Sequence, residues 1–174
     1  MKGMDEIKAL LCALLFVFSI DTSMADPVVW LDDNVSLHGR TIYFVSLVQN
    51  ETGKTLSSDV TGLIASEMIQ SLQKEGMTVL EKQDPSKDSI TISSKLTDYE
   101  AGSAVGRWVL PGVGATVCVV RSILIDDKSG KTIGEIVNSG NVSAGGLFSI
   151  GAERNVPKQV AQEIAKQIIG LVKK

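Results

Sequence analysis

The sequence predicts an α+β fold in which helices pack on one mixed sheet of about five strands, in the order β-α-β-β-β-β-α. Three observations carry that expectation. Two near-continuous apolar runs, Thr41 to Val48 and Ala115 to Ile125, read as strands buried on both faces. Two stretches repeat apolar side chains at helical spacing, one between the first two strands and one at the C-terminal end. A helix between strands implies a right-handed parallel crossover, whereas the short connections that follow imply antiparallel neighbours.

Taken in order, residues 26–40 lack a period and hold Asp32, Asp33, Asn34 and Gly39, so they read as an irregular lead-in to a single domain over 41–174. After the first strand and the Asn50 to Lys54 turn, Ser57 or Ser58 caps a helix with Asp59 in its first turn, where a carboxylate suits the positive end of the helix dipole. Val60, Ile64, Met68 and Leu72 form its apolar stripe, and Gly76 follows as the residue just past its end. Met77 to Leu80 is a short strand. In Ser89 to Tyr99, Ile90, Ile92 and Leu96 alternate with Thr91, Ser93, Lys95 and Thr97, the pattern of a strand with one wet face. Asp126 to Gly130 is a hairpin turn, and Thr132 to Val142 is the returning strand. Asn155 caps the last helix, Pro157 is tolerated in its first turn, and Val160, Ile164, Ile168 and Val172 share one face.

The chain has 174 residues, 44% hydrophobic and 21% charged, with 17 Lys+Arg against 20 Asp+Glu. Its mean hydropathy is +0.18. These values exclude a disordered chain, a collagen-like repeat and a disulfide scaffold. Residues 1–25 read as a secretory signal peptide: Lys2 and Lys8 precede an apolar run from Ala9 to Ile20, and Ser23 and Ala25 occupy the small positions of a cleavage site before Asp26. The apolar run is shorter than the ~17 residues a membrane-spanning helix needs. Cys12 follows Leu11 rather than a small residue, so it reads as an apolar member of the signal and lipidation is not expected. The mature chain is near electrical neutrality, and Cys118, inside Thr116-Val117-Cys118-Val119-Val120, reads as a buried small hydrophobe.

Catalytic and metal chemistry find little to use. His38 is the single histidine, so a two-histidine metal site or a second imidazole for nucleophilic catalysis is excluded within one chain. The carboxylate clusters, Asp32 with Asp33, Asp98 with Glu100 and Asp126 with Asp127, fall at turns or strand ends, where acidic residues serve local hydrogen bonding. No cofactor and no metal are expected. The slightly negative charge and the lack of a basic run argue against nucleic acid.

The unusual segment is Ala101 to Ala115, with Gly102, Gly106, Gly112, Gly114, Pro111, Trp108 and a single charge at Arg107. A connection of that length is long for a compact domain. Its apolar content, Val105, Trp108, Val109, Leu110 and Val113, leaves two outcomes: the segment covers an end of the core, or it presents a contact surface to a protein partner or a membrane. A second glycine-rich piece, Gly140 to Gly151, carries Leu147, Phe148 and Ile150 into the last helix.

The runs Thr97-Asp98-Tyr99-Glu100-Ala101-Gly102-Ser103, Gly106-Arg107-Trp108, Gly112-Val113-Gly114-Ala115, Asp126 to Lys131 and Ser143-Ala144-Gly145-Gly146-Leu147-Phe148 resemble the uncharacterised bacterial family named domain of unknown function 4410. The likeness runs from about Thr41 to the C-terminus and implies an exported envelope protein, many members looking like lipoproteins. More distantly, the first helix with Glu75-Gly76-Met77-Thr78-Val79-Leu80 is similar to the helix-strand unit of the curli-export lipoprotein family and of the N-terminal domain of the periplasmic Tol translocation protein. Fold analogy of that kind transfers no activity.

The expected function is therefore a non-catalytic periplasmic or envelope-associated module that binds an envelope protein or self-assembles, with Arg107, Trp108, Val109 and Leu110 as contact candidates. Two other readings stand beside it: a carrier of a small apolar ligand between sheet and helices, and a hydrolase built on an Asp/Glu pair.

Overall fold

The computed structural model describes residues 22–56, 59–103, 114–142 and 151–174. Its elements are β1 (Thr22–Met24), β2 (Val28–Leu31), β3 (Ile42–Val45), β4 (Gln49–Asn50), α1 (Val60–Lys74), β5 (Thr78–Leu80), β6 (Ser89–Glu100), β7 (Thr116–Asp126), β8 (Thr132–Val142) and α2 (Ala152–Lys173). The fold is mixed α+β as expected, with eight strands rather than about five. They join in one sheet of order β1-β8-β7-β6-β3-β5, in which β2 extends β1 along β8 and β4 extends β3 along β6. The α1 crossover makes β3 parallel to β5 as expected, but β5 and β6 are not antiparallel neighbours: β3 lies between them and is parallel to both, and antiparallel pairing holds for the β6–β7–β8 meander.

Three further expectations need correction. Val28–Leu31, placed in the irregular lead-in, pairs with Val137 to Gly134 as an edge strand; four consecutive apolar residues are a strand signal in their own right. The Thr41 to Val48 run is broken into β3 and β4, and Leu47 between them is 88% exposed. Along β3 and β7 buried and half-exposed side chains alternate, because both helices lie on one face of the sheet and no described helix lies on the other. The reading of both runs as buried on two faces is thereby overturned.

Helix ends follow local chemistry. Asp59 itself is the cap of α1, its carboxylate accepting from the Gly62 N–H at 2.8 Å; Ser57 and Ser58 lie outside the described residues. Gly76 follows the helix at φ 83°, a left-handed turn that glycine enters without a β-carbon clash. The second helix starts earlier than expected, capped by Gly151 at φ 85°, so Asn155 sits inside its first turn and Pro157 in its second. A proline there has no N–H for the carbonyl of Glu153 one turn back. The hydroxyl of Tyr99 donates to that carbonyl at 2.9 Å and replaces the missing bond.

The core lies between the helices and one sheet face. Val60, Ile64, Met68 and Leu72 of α1 and Val156, Val160, Ile164 and Ile168 of α2 meet Ile90, Ile92, Leu96, Cys118, Val120, Leu124 and Ile136, each side chain almost wholly buried. Burying an aliphatic side chain of this size stabilises the fold by ~1.5–3 kcal/mol. Polar groups inside this layer are paired: Ser94 and Ser122 share a hydrogen bond of 2.8 Å across β6 and β7, and Asn138 Oδ1 accepts from the adjacent Ser139 N–H at 3.0 Å.

Candidate docking end of the sheet

Strand register sorts the molecule into two chemically different ends. At one end lie the turns between β5 and β6 and between β7 and β8, and here the carboxylates are wired into the structure. Asp127, buried, accepts from Gln83 Nε2 at 2.7 Å, Ser89 Oγ at 2.6 Å and Thr91 Oγ1 at 2.5 Å. Asp126 accepts from the N–H groups of Lys128 at 2.9 Å and Ser129 at 2.8 Å, and Arg40 lies 3.4 Å away. These turn N–H groups, with the nearby guanidinium, hold its carboxyl below the ordinary value of 3.8. Arg40 also bridges to Asp88 at 3.1 Å. The cluster fastens the β7–β8 turn to the start of β6 and offers no free acid or base.

The opposite end gathers the segments that the sequence singles out. Thr116 of β7 pairs with Val142 of β8, and Val142 with Thr22 of β1, so three strand ends stand level. Residues 104–113 leave from a closed neck: the Ser103 N–H donates to the Gly114 carbonyl at 2.9 Å, and Thr116 Oγ1 to the Ala101 carbonyl at 2.8 Å. Gly114 has φ 76°, and a β-carbon on it would lie 2.7 Å from the Ser103 carbonyl oxygen, so this neck requires glycine. Residues 143–150 leave from Val142 at the same level and re-enter at Gly151. Arg107, Trp108, Val109 and Leu110 lie outside the described residues, as do Leu147, Phe148 and Ile150. Their points of attachment are nevertheless on one end of the sheet.

The rim of this end is charged on the β4 side. Lys54 hydrogen-bonds to Glu100, lies 3.9 Å from Asp98 and donates to the Tyr99 carbonyl at 3.4 Å. The bond to Glu100, with the charges of both carboxylates, raises the Lys54 pKa. The Asp98 and Glu100 pair is thus engaged by a cation. Cys118, one strand inward, has its thiol pushed up to about 12 by burial and by Asp98, which leaves it protonated and unreactive near neutral pH. His38 is exposed on the lead-in, its N–H donating to Ser36 Oγ at 3.2 Å. Among the described residues no three His, Cys, Asp or Glu side chains converge as a metal site, and no helix is long and apolar enough to cross a membrane.

Open clefts lie on the helical side. One of about 780 Å³ runs over α1 and α2 between Glu67, Gln70, Lys74, Gln162, Lys166 and Lys173. Its lining mixes these polar side chains with apolar surface, Ile169 included, and it is open to solvent.

The model of the family described as a domain of unknown function, DUF4410, matches residues 29–146. The chain belongs to that family. In this structure the matched DUF4410 unit runs from β2 to β8 and includes both glycine-rich segments up to residue 146, while β1 and α2 lie outside it. Among curated proteins none matches the chain. Solved structures share the fold at low identity. A PelC dodecamer from Paraburkholderia phytofirmans aligns with a TM-score of 0.57 at 12% identity, covering 84% of this chain and 97% of that one. A hypothetical protein from Chlamydia trachomatis gives 0.53 at 9% identity, over 75% and 97% of the two chains. A DUF4136 family protein from Bacteroides thetaiotaomicron gives 0.50 at 9%, over 86% and 98%. These likenesses establish a shared fold and no activity.

Sequence reasoning missed the β1–β2 edge and the Tyr99–Pro157 link. The first was legible in Val28-Val29-Trp30-Leu31. The second had one clue, a proline inside an amphipathic run that must leave a carbonyl seeking a donor.

Proposed function

We propose that this member of the family is an exported, non-catalytic module of the cell envelope that binds a protein partner or assembles with its own copies. It does so by the end of the sheet from which residues 104–113 and 143–150 emerge. The observation that carries this reading is the register that roots both segments, and the N-terminal strand, at the level of Thr116 and Val142. Apolar side chains concentrated on one end of a domain mark a contact surface. Arg107, Trp108, Val109 and Leu110 are the contact residues of this proposal, and a membrane surface near the same end is compatible with it. The PelC structure of the same fold is described as a dodecamer, which supports self-assembly as the form the contact takes. The carboxylates stand in turns and ion pairs, which favours a binding role over hydrolysis, and the openness of the helix groove to solvent gives the apolar-carrier reading little support.

Export removes residues 1–25 and leaves Asp26 as the N-terminus without a lipid. Light scattering on the exported protein tests the proposal. Wild type is expected as an oligomer or as a complex retained from envelope extract, and Trp108→Ala is expected to shift it toward monomer. A strict monomer with no retained partner, unchanged by Trp108→Ala, overturns it.

A further inference from the structure

Residues 22–25, which the export reading assigns to the signal, are built into the sheet. Thr22, Ser23 and Met24 pair antiparallel with Val142, Asn141 and Gly140, and the Ala25 N–H donates to the Ser139 carbonyl at 3.2 Å. Among the described residues β1 is the element that occupies this half of the β8 edge; β2 takes the other half. The edge is shaped for a strand. Gly140 leaves a notch beside Val156 and Val160 of α2, and Met24 Sδ fills it, 2.7 Å from where a β-carbon on Gly140 would stand. Beside Met24 a cleft of about 340 Å³ is lined by Gln159, Gln162, Glu163 and Lys166.

Strand β1 is an imperfect tenant. The Oε1 atom of Gln159 is buried and has no hydrogen-bond partner among the described residues while the thioether of Met24 stands in the cleft. A buried carbonyl oxygen left without a donor is unfavourable, and a thioether has no hydrogen to give. Cleavage before Asp26 removes this strand and leaves the outer edge of β8, the Ser139 carbonyl and the Asn141 N–H and carbonyl, without a strand partner beside an apolar notch while β7 still pairs its inner edge, the arrangement that invites another strand.

We infer that this edge is a strand-acceptor site in the exported protein. Its occupant is an extended segment of another polypeptide, antiparallel to β8, with an unbranched side chain over Gly140 that ends in a hydrogen-bond donor for Gln159. The inference rests on the export reading, and the first measurement separates the two. Intact mass of the exported protein is expected to start at Asp26; a chain that keeps Thr22–Ala25 ends the cleavage claim and this one together, because the site is then permanently filled.

On protein that starts at Asp26, hydrogen exchange of the Asn141 amide, which faces β1 opposite Ser23 whereas Gly140 and Val142 face β7, tests the site itself. Fast exchange is expected in the free monomer, and protection is expected on adding a peptide with the sequence of residues 20–26. The same peptide with Met24→Gln is expected to bind several-fold tighter, and with Met24→Asp at least tenfold weaker, since a carboxylate cannot enter the notch between Val156 and Val160. The peptide variants leave the protein's own folding untouched. Gly140→Leu in the protein, checked for an unchanged exchange pattern elsewhere, is expected to abolish binding. Slow exchange of the Asn141 amide in the peptide-free monomer, absence of peptide protection, or equal binding by the Met24→Asp peptide overturns the inference.

Discussion

Single side chains explain where the molecule departs from expectation. Tyr99 is nearly buried, and its hydroxyl serves a carbonyl that Pro157 has left without an N–H. Tyr99→Phe is expected to lower stability by ~1–2 kcal/mol, because an unsatisfied carbonyl at a buried site is the dominant loss. Pro157→Ala restores the N–H, so a double-mutant cycle in urea is expected to show coupling between the two positions, and strict additivity refutes the link. Asp126 makes the pH prediction. Its folded pKa is lowered by the turn N–H groups and Arg40, so its contribution is present above the ordinary value of 3.8 and is lost as pH falls through the lower folded value. Asp126→Asn is therefore expected to be less stable than wild type at pH 6, with the difference narrowing as pH falls below the ordinary 3.8 and through the lower folded value. A gap that stays constant down to pH 3 contradicts this role.

At the level of elements, the α1 N-terminus joins a good cap to a poor helix former. Gly62 is disfavoured inside a helix by ~1 kcal/mol relative to alanine. A β-carbon at Gly62 would collide with the Asp59 carboxylate, so the glycine makes room for the cap. Asp59→Ala is expected to cost ~1 kcal/mol. Gly62→Ala is expected to destabilise wild type yet to stabilise the Asp59→Ala background. Thermal melts of the four proteins decide it: a stabilising Gly62→Ala in both backgrounds removes the argument. The edge strands follow another logic. β1 and β2 lie end to end along β8 and share one edge of the sheet, so losing β1 shortens that edge strand without opening the core beneath β7.

For the whole molecule, the contrast between the two ends of the sheet is the organising feature. One end is closed by hydrogen-bonded turns around Arg40, Asp126 and Asp127, and the other receives the N-terminal strand and both glycine-rich segments. The proposed assembly through the second end carries a control: Lys128→Glu, on the far turn, is expected to leave the light-scattering mass unchanged while Trp108→Ala lowers it. Equal effects from both ends would point to general electrostatics. The neck at Ser103 and Gly114 fixes the base from which residues 104–113 leave, so a contact made by that segment, as proposed, loses less to ordering its ends.

Periodicity and turn chemistry in the sequence by themselves determined the α+β class, the two helices with their buried stripes and the β6–β7–β8 meander. Each is a short-range pattern, since a helix face repeats every three or four residues and a strand face every two. The tertiary structure alone decided which sheet face the helices cover, and hence that β3 and β7 alternate in exposure. It also decided that Val28–Leu31 lies on β8, that Tyr99 completes a helix broken by Pro157, and that segments far apart in the chain, rooted at Thr22, Ser103 and Val142, leave from one end. These depend on pairings between residues tens of positions apart. Local propensity carries no term for such distance, whereas strand register sets it once the core has closed.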